Sequence, residues 1–243
     1  MLRYQLIESL TRIILYLYFF SLIDLTGLIR KAYREVFDRF VYDLVTLAVI
    51  IDPIGTAAIF AALSQSTPPG GRRAMAVRGT AIAAGICVAF AFGGEALLRA
   101  MGVSLAAFQA AGGALLFLLA TDMVFAHESG LRQPTRAEAD EARSSVDISV
   151  FPLAIPLIAG PGALTSLVLL MRQADGAIEA QALVLLALAA VMGLTCTALL
   201  GAGRLLRLLG VTGAHVVSRV LGVVLAALAA ELLLSGIRLG LGL

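Results

Sequence analysis

Charged residues are scarce in this sequence. Asp, Glu, Lys and Arg make up 14% of its 243 residues, whereas 60% are hydrophobic and the mean hydropathy is +0.97. So little charge excludes an ordinary soluble domain of this length and indicates an integral membrane protein. The net charge of +2 gives no reason to expect a nucleic acid partner. The lipid bilayer is therefore the first expected partner.

Cysteine and histidine are scarce as well, with two of each. Cys87 and Cys196 lie in different apolar stretches without the spacing of metal ligands, so neither a disulfide, a metal site nor a cofactor is expected. Both are interpreted as small packing residues. No serine with a plausible base lies at a functional position, so no catalytic residue is assigned and an intramembrane enzyme is the least favoured class.

Long apolar stretches dominate what remains. Six of them can cross a hydrocarbon core about 30 Å thick at about 1.5 Å per helical residue. They lie at about 43–65, 76–98, 105–125, 148–171, 180–203 and 215–237. The stretches are rich in Ala and Leu and lack the alternation of a membrane β-barrel. We therefore predict an all-α polytopic membrane protein with six transmembrane helices.

Two short motifs, Asp52–Gly55 and Ala159–Gly162, interrupt the first and the fourth stretch near their middles. Proline and glycine release backbone hydrogen-bonding groups, and a bilayer offers no water to pair them. Such breaks persist only where protein or a wet cavity surrounds them. Paired breaks in two halves of a membrane chain are typical of a transporter binding site.

The two halves resemble each other. Residues 97–103 match residues 205–211 at an offset of 108, which also relates Pro53 to Pro161. At an offset of 109, Gly113 aligns with Gly222. Three helices per half would make the second copy an inverted repeat of the first, with discontinuous first and fourth helices. Chance similarity between Ala- and Leu-rich segments is the alternative.

The repeat predicts four regions. Residues 1–40 form an N-terminal extension, expected to be interfacial or absent from the mature protein. Residues 41–125 and 148–240 are the two three-helix repeats, and the polar stretch 126–147 links them.

The first motif has the signature of a helix start. Asp52 is suited to accept free backbone N–H groups as a cap, and Pro53 suits the first helical position. The alternatives are a purely structural cap and a functional charge at membrane depth.

The second motif starts a helix without a carboxylate. Its N–H groups are therefore available to an outside anion. A small zwitterionic solute could place its carboxylate on the backbone of residues 160–163 and its ammonium on Asp52 or on the carbonyls of Ile50 and Ile51. The predicted substrate-binding residues are Asp52, Pro53, Gly55, Thr56, Gly160, Pro161, Gly162, Ala163 and Thr165.

Asp122 and Glu231, which align at the offset of 109, are candidates for proton coupling. Both lie toward the ends of their stretches, where a carboxylate can also simply reach water.

The motifs resemble those of a known family. Asp52-Pro-Ile-Gly with Phe60 is similar to a motif of Asn or Asp, Pro, any residue, Gly, two residues, Pro and an aromatic, and Pro156–Ala163 is similar to the second motif. The family is MarC, also called the small neutral amino acid transporter family, and the similarity covers about residues 41–240. The sequence departs from the pattern where Ala58 replaces the second Pro and where Glu231 replaces an amide.

The resemblance implies a six-span protein of the bacterial inner membrane. Some relatives are described as carriers of glycine, alanine and similar amino acids, coupled to a proton gradient. We therefore expect a secondary transporter of small neutral amino acids. An exporter of another solute or of drugs, and a non-transporting scaffold or regulator, are the alternatives, and a homo-oligomer is left open.

Overall fold

The computed structural model describes residues 31, 33–65, 67–125 and 147–242, and no strand occurs among them. Residues 1–30 of the predicted extension and residues 126–146 of the predicted linker lie outside this part. The contacts divide the chain into two units, Met1–Tyr42 and Asp43–Leu243. The helix packing and the candidate site described here lie in the second.

The described residues form seven helices and one irregular segment. The helices are α1 (33–51), α2 (Pro53–Leu63), α3 (Pro69–Ala100), α4 (Leu105–Phe125), α5 (Pro161–Gln173), α6 (Ile178–Leu200) and α7 (Ala202–Leu241). The irregular segment, Ser149–Ile158, precedes α5 and is named the double-proline segment after Pro152 and Pro156. Helices α2, α3 and α5 all begin with proline, whose missing N–H and fixed φ suit the first helical position.

In the described part of the chain, five helical stretches are long and apolar enough to cross a membrane, and the double-proline segment with α5 forms a sixth candidate bent by 55°. The prediction of an all-α chain with several spans is thus confirmed for the described residues. The first stretch begins at Tyr33, so the predicted boundary at residue 40 falls inside a helix. The charged residues just before residue 40 are compatible with a helix and do not end it.

The fourth predicted helix is irregular over its first half. Phe151 and Ile155 have extended backbones, with φ near −124° and −129°, and each precedes a proline through a cis peptide bond. A residue before proline avoids the helical region, and proline itself has no N–H to donate. Prolines four residues apart therefore prevent the regular helix that the apolar pattern predicts.

Glycines bring α4 and α7 into close contact. A Cβ at Gly113 would lie 2.5 Å from the backbone N of Leu233 and 2.9 Å from the carbonyl O of Ala229. At the other end of the pair, a Cβ at Gly222 would lie 2.8 Å from Met123 and 3.2 Å from the carbonyl O of Ala120. Small residues at such positions are typical of membrane helix interfaces.

The double-proline segment and α5 together are called the bent span. Two ion pairs join it to α3. At one end, Arg78 lies 2.6 Å from Asp147, whose other oxygen accepts the Ser149 N–H at 2.9 Å. The Ser149 N–H hydrogen bond and the positive charge of Arg78 lower the pKa of Asp147. At the other end, Glu95 on α3 lies 3.3 Å from Arg172 on α5. The bent span therefore runs alongside α3 over its length.

The tight α4–α7 contact can be tested with matched glycine substitutions. We expect Gly113→Ala to destabilise the protein by about 1–3 kcal/mol, because its methyl group would meet backbone atoms that cannot move aside. Thermal unfolding in one detergent measures the effect. Gly93→Ala is the control, since a Cβ there meets nothing within 4 Å. An equal melting temperature for both variants would contradict the packing.

Candidate functional site

Asp52 occupies the first break and closes it with its own side chain. The residue is fully buried and adopts a left-handed conformation, with φ 42° and ψ 77°, which Asp tolerates better than most residues. Its Oδ1 accepts the Gly55 N–H at 3.0 Å, and its Oδ2 accepts the Ser218 hydroxyl of α7 at 2.9 Å. A Cβ at Gly55 would overlap Oδ2. The predicted helix cap is present, and glycine is required beside it.

Thr56 serves the other side of the first break. Its buried hydroxyl donates to the carbonyl of Ile51, the last residue of α1, at 2.9 Å. The Thr56 N–H meanwhile donates to the Asp52 carbonyl at 2.9 Å. Side chains within the break thus pair the Gly55 N–H and the Ile51 carbonyl, and Ser218 of α7 holds the Asp52 carboxylate in place.

The second break has no comparable closure. Gly160 precedes α5 in an extended conformation, with φ −78° and ψ 169°, and no side chain caps the helix start. The N–H groups of Gly162 and Ala163 belong to the first turn and have no acceptor within α5. Both residues are buried, and their N–H groups lie at the positive end of a helix dipole.

Backbone carbonyls are unpaired at the same break. Among the described residues, the Gly160 N–H and the carbonyls of Pro156 and Ala159 take part in no backbone hydrogen bond. A Cβ at Gly160 would lie 2.6 Å from the Pro156 carbonyl O, which explains the glycine. Unpaired N–H and carbonyl groups therefore lie together at the second break.

A small cavity of about 20 Å³ lies against these groups. Its lining comprises Pro156, Leu157, Ile158, Gly160, Pro161, Gly162 and Ala163 from the bent span, Leu115 and Leu119 from α4, and Ile50 from α1. Ile50 lies two residues before Asp52, so the first span meets the second break here. This volume accommodates about one water molecule.

The predicted binding residues lie in three different places. Gly160, Pro161, Gly162 and Ala163 line the cavity. Asp52, Pro53, Gly55 and Thr56 form the first break and lie outside that lining. Thr165 is buried with its methyl group against Gly112 of α4, so it packs between helices.

The two acids suggested for proton coupling lie apart from the cavity. Asp122 is partly buried near the end of α4, and Glu231 is exposed on α7. Neither residue contributes to the cavity lining. No group of three or more His, Cys, Asp or Glu side chains suited to a metal ion occurs in the described part of the chain.

Sequence reasoning missed Ser218. Ser218 is a polar residue in an apolar helix, which is a usable signal, but its partner Asp52 lies 166 positions away. The Ile50 carbonyl was predicted from sequence as an ammonium acceptor, and Ile50 lies in the cavity lining.

Several apolar spans, two interrupted helices and polar groups retained at membrane depth define an integral multi-pass membrane protein. Residues 37–241 match the MarC family of integral membrane proteins, and the chain belongs to that family.

Curated relatives carry only general names. The chain is 36% identical over 189 residues to a UPF0056 membrane protein of Methanocaldococcus jannaschii, covering 78% of this chain and 91% of the relative. It is 34% identical over 195 residues to the UPF0056 inner membrane protein YhgN of Escherichia coli, covering 80% and 94%. No solved structure matches. The relatives include archaeal and bacterial proteins, so they do not establish the expected bacterial inner membrane. They support an integral multi-pass membrane protein.

The cap at the first break can be tested without a transport assay. Asp52→Asn retains an oxygen for the Gly55 N–H, so we expect a melting temperature close to that of the unchanged protein. Asp52→Ala loses the cap and should cost about 1 kcal/mol or more. Equal stability of the Ala and Asn variants would show that the cap contributes nothing.

Proposed function

We propose that this protein is a secondary transporter of small neutral amino acids, such as glycine or alanine, with its solute site at the second break. The observation that carries the proposal is the set of unpaired backbone groups around the cavity at residues 156–163. Irregular backbone at membrane depth is tolerated where it lines a cavity, and broken helices there bind substrates.

A zwitterion suits both kinds of unpaired group. Its carboxylate would accept hydrogen bonds from the N–H groups of Gly162 and Ala163, where the α5 dipole favours negative charge. The ammonium needs acceptors nearby. The Ile51 carbonyl already accepts from Thr56, whereas the Ile50 carbonyl has no partner within α1. We therefore assign the ammonium to the Ile50 carbonyl, with the Asp52 carboxylate close behind it.

Repeat-related contacts support an inverted repeat. Gly113 packs against the carbonyl of Ala229, and Gly222 packs against the carbonyl of Ala120. Adding 109 to positions 113 and 120 gives positions 222 and 229, so the two contacts are equivalent under the repeat. The packing of the helices agrees with the repeat. Helix α3 packs on α5, and their counterparts in the other repeat, α6 and α2, also pack on each other. In this proposal the two halves rock against each other around the breaks.

The cavity must enlarge to admit a solute. A volume for about one water is smaller than any amino acid, so this conformation is closed around the site. Opening would separate the bent span from α1 or α4, which supply the remaining lining residues. Such motion is expected of alternating access.

The rival functions fit the cavity less well. Drug-sized ligands occupy pockets of about 300–1,000 Å³, so a drug would require a much larger opening than glycine or alanine. A scaffold would be expected to close both breaks with side chains, and only the first is closed in this way. Asp122 and Glu231 stay proposed proton-coupling residues, although neither lines the cavity.

Uptake of labelled glycine or alanine into vesicles of purified protein, with and without a pH gradient, tests the function. We expect concentrative uptake that the gradient increases. Absence of uptake of every small neutral amino acid by correctly inserted protein would refute the proposal.

The position of the site is tested by Gly162→Ala. A Cβ there would lie 2.7 Å from the Leu116 Cδ2 and 3.5 Å from the Ile50 Cγ2, both movable side-chain atoms, so the protein should fold with a filled cavity. We expect uptake to fall about tenfold or more. Gly93→Ala, in open space, should leave uptake unchanged. Full uptake by both variants would exclude this cavity as the site.

The charge of Asp52 is tested by Asp52→Asn in the same assay. This variant keeps the cap but removes the negative charge near the assigned ammonium position. We expect the half-saturating glycine concentration to rise about tenfold. An unchanged value would limit Asp52 to its structural role.

A further inference from the structure

Ser166 of α5 carries a buried hydroxyl without a partner. The residue is 2% exposed, and its Oγ forms no hydrogen bond within the described part of the chain. Three other buried hydroxyls on helices donate to the carbonyl four residues earlier: Ser64 at 2.7 Å, Thr80 at 2.8 Å and Thr195 at 2.7 Å. An unpaired buried hydroxyl is unfavourable, so its presence at Ser166 needs an explanation.

The contacts around α5 show which way Ser166 faces. Val168 meets Gly94 of α3, and Thr165 meets Gly112 of α4. Gly162 faces the cavity through Ile50 of α1. Positions four apart share a helix face, which places Ser166 on the same face as Gly162 and on the side away from α3.

The direction of helical side chains brings the Ser166 hydroxyl closer to the cavity. Side chains on an α-helix lean toward its N-terminus, over the preceding turn. For Ser166 the preceding turn begins at Gly162, which lines the cavity. The hydroxyl is thus a polar group without a partner, directed toward the second break.

We propose that Ser166 is a solute-binding residue whose hydroxyl oxygen accepts a hydrogen bond from the ammonium group of the transported amino acid. This inference rests on the proposed function and adds a residue that lies outside the two break motifs. The solute would supply a hydrogen-bond partner for the hydroxyl.

The ammonium is a better partner for Ser166 than the carboxylate. The N–H groups assigned to the carboxylate point out of the start of α5, whereas Ser166 lies a full turn further along the helix. An ammonium has three donors, of which the Ile50 carbonyl takes one. Both oxygens of Asp52 already accept hydrogen bonds, from Gly55 and Ser218. Ser166 can therefore accept one of the remaining donors.

Ser166→Ala and Ser64→Ala form a matched pair for the test. Both remove one hydroxyl from a serine that is at most 2% exposed, but only Ser64 has a partner, the Phe60 carbonyl. Without solute, we expect Ser166→Ala to melt at or above the temperature of the unchanged protein and Ser64→Ala to melt below it. In vesicles, we expect the half-saturating glycine concentration to rise about tenfold for Ser166→Ala and to stay constant for Ser64→Ala.

Two results would overturn the role of Ser166 while leaving the transport function intact. One is a Ser166→Ala variant that takes up glycine with an unchanged half-saturating concentration. The other is a Ser166→Ala variant that melts as far below the unchanged protein as Ser64→Ala does, which would show a structural partner for the hydroxyl. Failure of the unchanged protein to take up glycine or alanine would instead refute the proposed function, and the solute role of Ser166 with it.

Discussion

The absence of water inside a bilayer is the constraint on which this structure depends. Every N–H and carbonyl that a proline or glycine releases there must find another partner. Most of the chain meets this requirement with continuous helices, in which each backbone group bonds within its own segment. The two interrupted spans cannot do so. The partners of their released groups therefore decide what the rest of the site can bind.

The two breaks meet this constraint by different means. At the first, Asp52 accepts the Gly55 N–H and Thr56 donates to the Ile51 carbonyl, and Ser218 fixes the carboxylate from α7. At the second, Gly160 offers no side chain, and the Pro156 carbonyl lies without a backbone donor beside a cavity. At the first break side chains pair the Gly55 N–H and the Ile51 carbonyl, whereas no side chain caps the helix start at the second.

Local chemistry made much of this predictable from sequence. The Asp-Pro pair specifies a capped helix start at residue 52, and Gly-Pro-Gly specifies an uncapped one at residue 160, because capping depends on residues within a turn. Contacts between distant segments could not be predicted in the same way. The Ser218 hydrogen bond spans 166 positions, and the unpaired state of Ser166 depends on how α5 packs. The apolar pattern of Ser149–Ile158 equally suits a regular helix, and only its two prolines signal the irregular backbone.

A permanent cap and a transported solute cannot occupy the same helix start. A side chain such as Asp52 stays attached to its break in every state, so the first break keeps its local geometry throughout a cycle. The second break is completed only by a molecule that can leave. In the proposed function, departure of the solute leaves unpaired groups at Gly162 and Ala163, which favours binding of the next solute or of water. The unequal chemistry of two similar motifs is therefore what would make one of them a reusable binding site.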